Sequence, residues 1–365
     1  MVAKIVHPEA RLQVFAQGHG FEFTVESNFP MPGLPQGMVF RGEKDGYITF
    51  AGQGISHFVL PGQPDGQLML EPVAGDLYDP RGLAIIDDTL FITHLEKFEG
   101  SDVGEGPSAF VGEASVAPRG GSVIAFDILP DGKLQNRRTI VPDLPAVNPW
   151  HAVNAIAAGP DGKLYVAIGG MRNSAFYADN PLLGTVIRFN PDGSGLEVYA
   201  RGIRNIYDFV FDPKGRLLAA DNDGPSLRGF KSEEVLDIRQ GDNFAYPLEG
   251  TFDQPHKVRN APPLWVMPDA ASGSTGIEWA GKVGIAPGLL IGGPHLVYLP
   301  IEEDEQGLYV PTLSNVEPGQ IILVRQGYMS IVQAGAGNRL YVGVYGFSLE
   351  NNLYVLKFEE TSGQH

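Results

Sequence analysis

The segment that decides the fold runs from residue 201 to residue 225 and reads RGIRNIYDFVFDPKGRLLAADNDGP. It contains two apolar, strand-like stretches, 206–211 and 216–222, which are joined by the turn residues DPKG (212–215). Gly, Pro and Asp favour turns because Gly permits positive φ, Pro presets φ and Asp hydrogen-bonds nearby backbone. The segment therefore predicts a strand, a turn and a second strand, with polar residues at both open ends.

The same sequence pattern, a turn with Gly or Asp followed by an apolar strand, occurs six times along the chain. The copies are KDGYITFAG (44–52), DDTLFITHL (87–95), PDGKLYVAIGG (160–170), PKGRLLAADN (213–222), EQGLYVPTLS (305–314) and GNRLYVGVYG (337–346). Each copy follows another strand-like stretch, such as PHLVYLP (294–300) before the fifth, and several precede one. Repeated sheets that cannot bury both faces alone must stack around an axis. We therefore predict an all-β fold, a six-bladed β-propeller of four-stranded antiparallel blades.

The whole chain, residues 1–365, is predicted to form this single propeller domain. A length of 365 residues is compatible with one all-β domain of this kind. Two segments, near 95–120 and near 245–290, break the spacing and are rich in Gly, Pro, Glu and Ser. They are predicted to be loop insertions, which on a rigid scaffold often carry function.

Composition and charge exclude several classes of partner and chemistry for this protein. The formal net charge of −17 argues against nucleic acid, which requires Lys and Arg patches. Cysteine is absent, which excludes disulfides and thiolate chemistry. No run of about 18 apolar residues occurs, so no membrane span is expected. The first residues show no signal-peptide pattern. We expect a periplasmic or secreted protein if a signal was removed earlier, and a cytoplasmic one otherwise.

His151 is the first candidate for chemistry, because it directly precedes a predicted inner strand, AVNAIAAG (152–159). Loops that enter the inner strands of a propeller gather at one mouth of its central channel, so the imidazole should face that mouth. There it suits a general base, with a hydrogen-bonding structural histidine as the alternative.

Arg204, Asn205 and Asp208 enter the corresponding strand of the fourth blade. An arginine at a channel mouth is a bidentate anchor for carboxylates. Asp208 lies within an apolar strand pattern and needs a partner, which either Arg204 or a cation would provide. A structural Arg204–Asp208 pair is therefore the alternative to a binding role.

Asp221, Asn222, Asp223, Gly224 and Pro225 form an oxygen-rich turn after the second strand of that blade. Hard cations such as Ca²⁺ bind carboxylate, amide and carbonyl oxygens. The same residue types also dominate ordinary turns, so a plain turn is the alternative.

Four motifs in order make residues 151–247 resemble the glucose/sorbosone dehydrogenase family, six-bladed propellers that include soluble quinoprotein sugar dehydrogenases. They are His151 eight residues before GPDGKLYV (159–166), GTVIRFNPDG (184–193), GIRNIYDFVFDPKGRL (202–217) and DNDGPSLRGFKSEEVLDIRQGDNFAYP (221–247). Each motif is weak alone, and the four together are specific for fold and family rather than for the reaction.

The resemblance implies an oxidoreductase that oxidises a sugar or other alcohol with pyrroloquinoline quinone (PQQ) and Ca²⁺, with His151 as general base. Arg204 and Asn205 would hold the quinone. The carbonyls of Gly224 and Pro225 would ligate Ca²⁺, with Asn222 and Asp223 beside that ion or the cofactor.

The chain also departs from the sugar dehydrogenases. Proline follows Arg-Asn in those enzymes, whereas Ile206, Tyr207 and Asp208 follow here, as in a divergent branch that also shares Asn154. The segment 312–326 lacks the paired basic residues that grip the quinone carboxylates in glucose-oxidising members.

Two alternatives stay open. One is a metal-dependent hydrolase or lyase of the lactonase type, for which Asp208, residues 221–223, Glu233 and Glu234 would supply oxygen ligands. The other is a non-catalytic carbohydrate-binding propeller, because propellers host many unrelated functions.

Overall fold

The structure is a computed structural model that describes residues 21–63, 66–96, 117–146, 151–170, 180–222, 233–244, 261–267, 275–293, 296–312, 321–322, 328–346 and 349–360. These residues form strands and one turn of 3-10 helix, with no α-helix among them. The strands assemble into six antiparallel sheets, the blades of a β-propeller. The predicted fold class is confirmed.

The first described strand, β1 (Phe21–Pro30), belongs to the last blade, and the others follow in chain order. Blade one contains β2 (Pro35–Phe40), β3 (Asp45–Phe50), β4 (Gly54–Val59) and β5 (Met69–Ala74). Blade two contains β6 (Asp79–Ile86), β7 (Thr89–Leu95), β8 (Ala117–Ile128) and β9 (Leu134–Ala146). Blade three contains β10 (Val153–Ala158), β11 (Leu164–Ile168), β12 (Thr185–Phe189) and β13 (Glu197–Arg201).

Blade four contains β14 (Ile206–Phe211), β15 (Leu217–Asp221), β16 (Glu233–Ile238) and β17 (Trp265–Met267). Blade five contains β18 (Gly276–Trp279), β19 (Gly288–Gly292), β20 (Leu296–Glu303) and β21 (Tyr309–Pro311), with β22 (Ile321–Ile322) also paired to β20. Blade six contains β23 (Tyr328–Gly335), β24 (Arg339–Gly346) and β25 (Leu349–Glu360).

The ring closes through the N-terminal strand. β1 pairs antiparallel with β25 and supplies the outer strand of blade six, whose other strands come from the C-terminal end. The inner strand of blade one, β2, packs against the inner strands of both blade two and blade six. The ring is therefore held shut by backbone hydrogen bonds between distant parts of the chain.

The core lies between blades. Six apolar clusters fill the six interfaces of neighbouring blades. Between blades two and three, for example, Phe91 and Val123 pack with Val153 and Leu164. Because a central strand is covered on both faces, it is apolar throughout, and every residue of β11 is buried.

Blade five differs from the sequence-based expectation. β18 and β19, its first two strands, lie within the segment predicted as a loop insertion near 245–290. PHLVYLP (294–300) overlaps the third strand, β20, and the copy at 305–314 contains the fourth, β21. Strands as short as GIEW and GLLIG, set among glycine and proline, carry too little periodicity to be recognised.

The rest of the two predicted insertions lies mainly outside the described residues. This applies to 97–116 in the first predicted insertion and to 245–260 and 268–274 in the second. In the described ranges there is no helix with the length and apolar character that a membrane crossing requires.

Candidate active site

The candidate site is one mouth of the central channel, where the inner strands begin. These strands are β2, β6, β10, β14, β18 and β23. Each is the inner strand of its blade, and in blade six the outer strand is β1 from the N-terminal end of the chain. Their opening residues come from distant parts of the chain and contact one another around the axis. A channel cavity of about 210 Å³ lies behind this mouth, with Gln36, Tyr207, Asp208 and Ser330 among its lining.

β-Bulges place polar side chains at this mouth. In blade two, Arg81 and Gly82 face only Thr93, between the register pairs Pro80–His94 and Leu83–Ile92. A bulge of this kind bends the strand and re-aims one side chain, and bulges are common near active sites.

The same shift recurs at the start of most inner strands. Register shifts occur between Pro35 and Gly37, Val153 and Ile156, Ile206 and Phe209, and Met329 and Ile331. The residues inside these shifts include Gln36, Asn154, Tyr207, Asp208 and Ser330. Blade five is the exception, since β18 pairs with β19 without a shift.

Side-chain hydrogen bonds connect four blades at the mouth. Gln36 donates to Asp79, and the Arg81 guanidinium donates to Asp79 Oδ2 at 2.8 and 3.2 Å and to Asn154 Oδ1. Asn154 Nδ2 in turn donates to Asn205 Oδ1 at 2.8 Å. Asp79, Arg81, Asn154 and Asn205 are all buried.

Burial raises the pKa of Tyr207, against the lowering effect of Arg81 and of the neighbouring Asn205 side chain. We call the set Gln36, Asp79, Arg81, Asn154, Asn205 and Tyr207 the polar belt.

Asp221 holds the start of blade four. Its two carboxylate oxygens accept from the backbone N–H groups of Arg204, at 2.9 Å, and Asn205, at 2.6 Å. Burial raises the pKa of Asp221 to about 6, and the adjacent Glu234 adds to the rise. The carboxylate therefore orders the loop that presents the two candidate binding residues.

The Arg204 side chain is buried at the mouth. Its Nη1 donates to the Asn222 carbonyl oxygen and to Asn222 Oδ1, the latter at 3.2 Å. Its Nε–H is buried without a hydrogen-bond partner among the described residues. A buried guanidinium donor without a partner is costly, and a bound acceptor would remove that cost.

Asp208 does not form the predicted pair with Arg204. Its carboxylate accepts from the backbone N–H of Phe209, at 2.9 Å, and of Ile277 in blade five, at 3.2 Å. Burial raises the pKa of Asp208 to about 7, against the lowering effect of these two bonds. Asp208 therefore joins two blades at the channel wall.

His151 is buried, 4% exposed, at the start of blade three. Its Nδ1 lies 2.8 Å from the backbone carbonyl oxygen of Gly170. A carbonyl oxygen only accepts, so Nδ1 carries the proton and the lone pair of the neutral ring lies on Nε2.

The predicted metal ligands are only partly described. Asp223, Gly224 and Pro225 lie outside the described residues. Asp221 and Glu234 are register partners on neighbouring strands. Within the described part of the chain, no three His, Asp or Glu side chains are grouped closely enough to hold a metal ion.

Sequence reasoning missed Gln36, Asp79 and Arg81. Arg81 brings a second guanidinium to the mouth, where only Arg204 was expected. The signal was available in DPRGLAI (79–85), which occupies the position in blade two that AVNAIAA (152–158) occupies in blade three, so that Arg81 corresponds to Asn154. Aligning the six inner strands by their first residues, rather than by their turns, would have revealed it.

Together the fold and the mouth define a class: a six-bladed β-propeller with a buried, donor-rich polar site at one end of its channel. Solved structures similar to this chain have that fold. An oxidoreductase from Thermus thermophilus, described as a glucose dehydrogenase, is 22% identical with a TM-score of 0.67, over 93% of this chain and 100% of that one.

Two further structures extend the comparison. The PQQ-bound form of aldose sugar dehydrogenase from Streptomyces coelicolor is 18% identical with a TM-score of 0.66, over 93% of this chain and 99% of that one. A calcium structure of a Trichoderma reesei enzyme of carbohydrate-active family AA12 is 15% identical with a TM-score of 0.63, over 93% of this chain and 95% of that one. The resemblance predicted from the sequence is thus confirmed, and at these identities it establishes the fold.

One sequence family also matches. A domain of unknown function, DUF7133, covers residues 111–274, which include His151, Arg204 and Asp221. No curated protein matches the chain.

Proposed function

We propose that this protein is an oxidoreductase that oxidises a hydroxyl group of a sugar or other alcohol at the channel mouth, with PQQ and Ca²⁺ as cofactors. The observation that carries the proposal is the His151–Gly170 hydrogen bond, which leaves the lone pair of a buried imidazole on Nε2. The similarity in fold to sugar dehydrogenases, one of them PQQ-bound, supports the same reaction class.

The donor chemistry of the mouth fits a quinone that carries three carboxylates. Arg204 has a buried Nε–H without a described partner, and the next residue, Asn205, is hydrogen-bonded to Asn154 in the polar belt. Arg204, Asn205, Asn154 and Asn222 would hold the quinone, and Asp208 would border it from the channel wall. When bound, PQQ supplies a two-electron acceptor and Ca²⁺ a Lewis acid beside it.

For Ca²⁺, the chain offers oxygen donors at one edge of the mouth. Asp221, Glu234 and Asn222 lie there, and Asp223, Gly224 and Pro225 follow directly in the sequence. Both Asp221 oxygens already accept backbone N–H bonds, so the carbonyls of Gly224 and Pro225 are the better candidates for direct ligands.

The tautomer of His151 determines how this residue would act as the general base. His151 Nε2 accepts the proton of the substrate hydroxyl, and Gly170 O stabilises the imidazolium that forms because it already accepts the Nδ1 proton. Burial of the site limits water access and strengthens these interactions.

The test combines binding and turnover. Purified protein is titrated with PQQ in the presence of CaCl₂, followed by absorption, and reduction of an artificial electron-acceptor dye is then measured with aldoses and simple alcohols. We expect micromolar binding and dye reduction, and a loss of at least about 100-fold in kcat for His151→Gln with binding retained.

His57→Gln is the matched control, because His57 is also buried but pairs with Asp45, on blade one. It should retain both binding and turnover. Absence of PQQ binding would overturn the proposal. Lactone hydrolysis with added metal and no quinone would favour the hydrolase alternative, and sugar binding unaffected by His151→Ala without turnover would favour a binding propeller.

A further inference from the structure

Polar side chains from three blades line the channel cavity behind the mouth. The cavity, of about 210 Å³, is enclosed by the inner strands of blades one, two, three, four and six. Asp208 is the one charged side chain among its lining residues, all of which lie in the described ranges, and Gln36, Ser330 and Gln333 are among the polar ones. All four are partly accessible, although they lie inside the ring. One carboxylate thus shares an interior cavity with neutral polar groups.

Asp208 has spare acceptor positions and no ion-pair partner in the part of the chain that the structure describes. Its two oxygens accept one bond each, from the N–H groups of Phe209 and Ile277, and a carboxylate can accept about four. Lys282 lowers the pKa of Asp208, but its ammonium group pairs with Glu278 at 2.8 Å. An ionised carboxylate in the interior is costly unless a cation compensates its charge.

Buried carboxylates fix the orientation of the two amides. Gln36 Nε2 donates to Asp79, and Gln333 Nε2 donates to Glu278 Oε2 at 3.0 Å. An ionised carboxylate only accepts, so it determines which end of each amide carries the hydrogens. Neither Oε1 accepts a hydrogen bond from a described residue. The end that each amide has left for the cavity is therefore its carbonyl oxygen.

Ser330 contributes a further acceptor. Its hydroxyl donates to the backbone carbonyl oxygen of Pro35, and that of Gly343 lies 3.4 Å away. Because a hydroxyl has one hydrogen, only its lone pairs are left for the cavity. The four side chains thus offer acceptor oxygens and one negative charge. Hard metal cations bind such a set, since they prefer carboxylate, carbonyl and water oxygens.

We propose that the channel cavity binds one monovalent metal cation, Na⁺ or K⁺, with the Asp208 carboxylate as its charged ligand. Gln36, Ser330 and Gln333 supply neutral oxygens, directly or through water. A monovalent ion neutralises one carboxylate, whereas a divalent ion leaves a net positive charge in the interior. One water needs about 10–15 Å³ of such a cavity, so the ion and several waters fit.

This cation site is independent of the proposed quinone chemistry. It uses one carboxylate inside the channel, whereas the oxygen donors suggested for Ca²⁺ belong to residues 221–225 and 234 at the edge of the mouth. The bound ion joins blades one, four and six at the axis of the ring. We therefore expect alkali salts to stabilise the fold in the absence of PQQ.

The first test compares salts at one ionic strength. The unfolding temperature is followed by circular dichroism at about pH 8, above the pKa of about 7 of Asp208, with EGTA and with equal concentrations of KCl, NaCl or choline chloride. Choline gives the same ionic screening but is too bulky for a shell of oxygen ligands. KCl or NaCl should raise the unfolding temperature by about 2 °C over choline chloride once the ion exceeds its Kd about tenfold.

Matched variants show where the ion acts. Asp208→Asn should abolish the difference between alkali and choline salts, because the charged ligand is lost. Asp212→Asn is the control: Asp212 is a buried carboxylate that follows β14, accepts from the N–H groups of Lys214 and Arg216 at 2.8 Å, and lies outside the cavity lining. It should retain the full difference. Ser330→Ala keeps the charge and should raise the KCl concentration of half effect about threefold.

The second test locates the ion directly. Tl⁺ replaces K⁺ and scatters anomalously, so a crystal grown with a thallium(I) salt should show an anomalous peak in the cavity, in contact with the Asp208 carboxylate. This measurement uses the unchanged protein and so decides the question even if Asp208→Asn does not fold.

Three results would overturn the cation site: equal unfolding temperatures in all three salts, a salt difference that persists in Asp208→Asn, or no anomalous peak in the cavity. Failure of PQQ binding would overturn the proposed function and leave the cation site intact, because both tests are made without quinone.

Discussion

Blades two to four and blade five meet the channel in different ways. In blades two to four the inner strand is bulged at its start, and residues such as Arg81, Asn154 and Tyr207 enter the mouth. In blade five the inner strand GIEW pairs regularly with β19, and all four of its residues are buried.

The two regions also differ in the partners that stabilise their buried charged side chains. In blade five, the buried Glu278 accepts from the backbone N–H groups of Trp279 and Ala334, and its other partners are Gln333 and the half-exposed Lys282. In blade two, Asp79 and Arg81 are both buried and depend on each other and on amide side chains. A bulge thus places polar side chains inside the ring. Because these side chains are buried there, the stability of each depends on the hydrogen bonds and ion pairs that it forms with the others.

The largest expected effect comes from Arg81→Leu. It leaves Asp79 buried without its guanidinium, so we expect the free energy of unfolding to fall by about 3–5 kcal/mol, measured by urea denaturation. The comparison variant in blade five is Lys282→Leu. Because Glu278 keeps three N–H donors, that variant should cost only about 1 kcal/mol. Equal losses would show that the two regions do not differ in this way.

A smaller loss is expected for Asp221→Asn. The amide would turn an NH₂ group toward the backbone N–H of Arg204 or Asn205, at a cost of about 1–3 kcal/mol in urea denaturation. Asp304→Asn in blade five is the control, because a single oxygen, Oδ1, accepts both of its backbone bonds and an amide retains that oxygen. It should change stability by less than about 0.5 kcal/mol.

A third expected effect is a pH dependence of stability at the seam between blades four and five. Burial raises the pKa of Asp208 to about 7, so the folded state holds this proton more tightly than the unfolded state does. The stability from Asp208 is therefore fully present below about pH 4 and is lost as pH rises through about 7.

Urea midpoints measured between pH 4.5 and 8 should decline across this range in the unchanged protein and decline less in Asp208→Asn. Lys282 in blade five lowers the pKa of Asp208, so Lys282→Leu should move the decline to higher pH. An unchanged profile in Asp208→Asn would contradict this origin of the pH dependence.

Much of the propeller could be predicted because its signals are local. A turn followed by an apolar strand lies within ten residues of sequence, and GPDGKLYV (159–166) carries it completely. Blade five could not be recognised, because β18 and β19 are four and five residues long and lack clear periodicity. The pairing of β1 with β25, which closes the ring, could not be predicted from the sequence either, because the two strands lie at opposite ends of the chain.

Sequence alone determined the repeated unit, the number of blades and the polar residues at the ends of strands, since each depends on neighbours along the chain. Tertiary structure alone decided which of those residues meet. Arg81, Asn154 and Asn205 come from three blades, and only the closed ring and its bulges bring them within hydrogen-bonding distance. The direction of their hydrogen bonds follows from that contact, because a guanidinium can only donate and each amide must turn to match it.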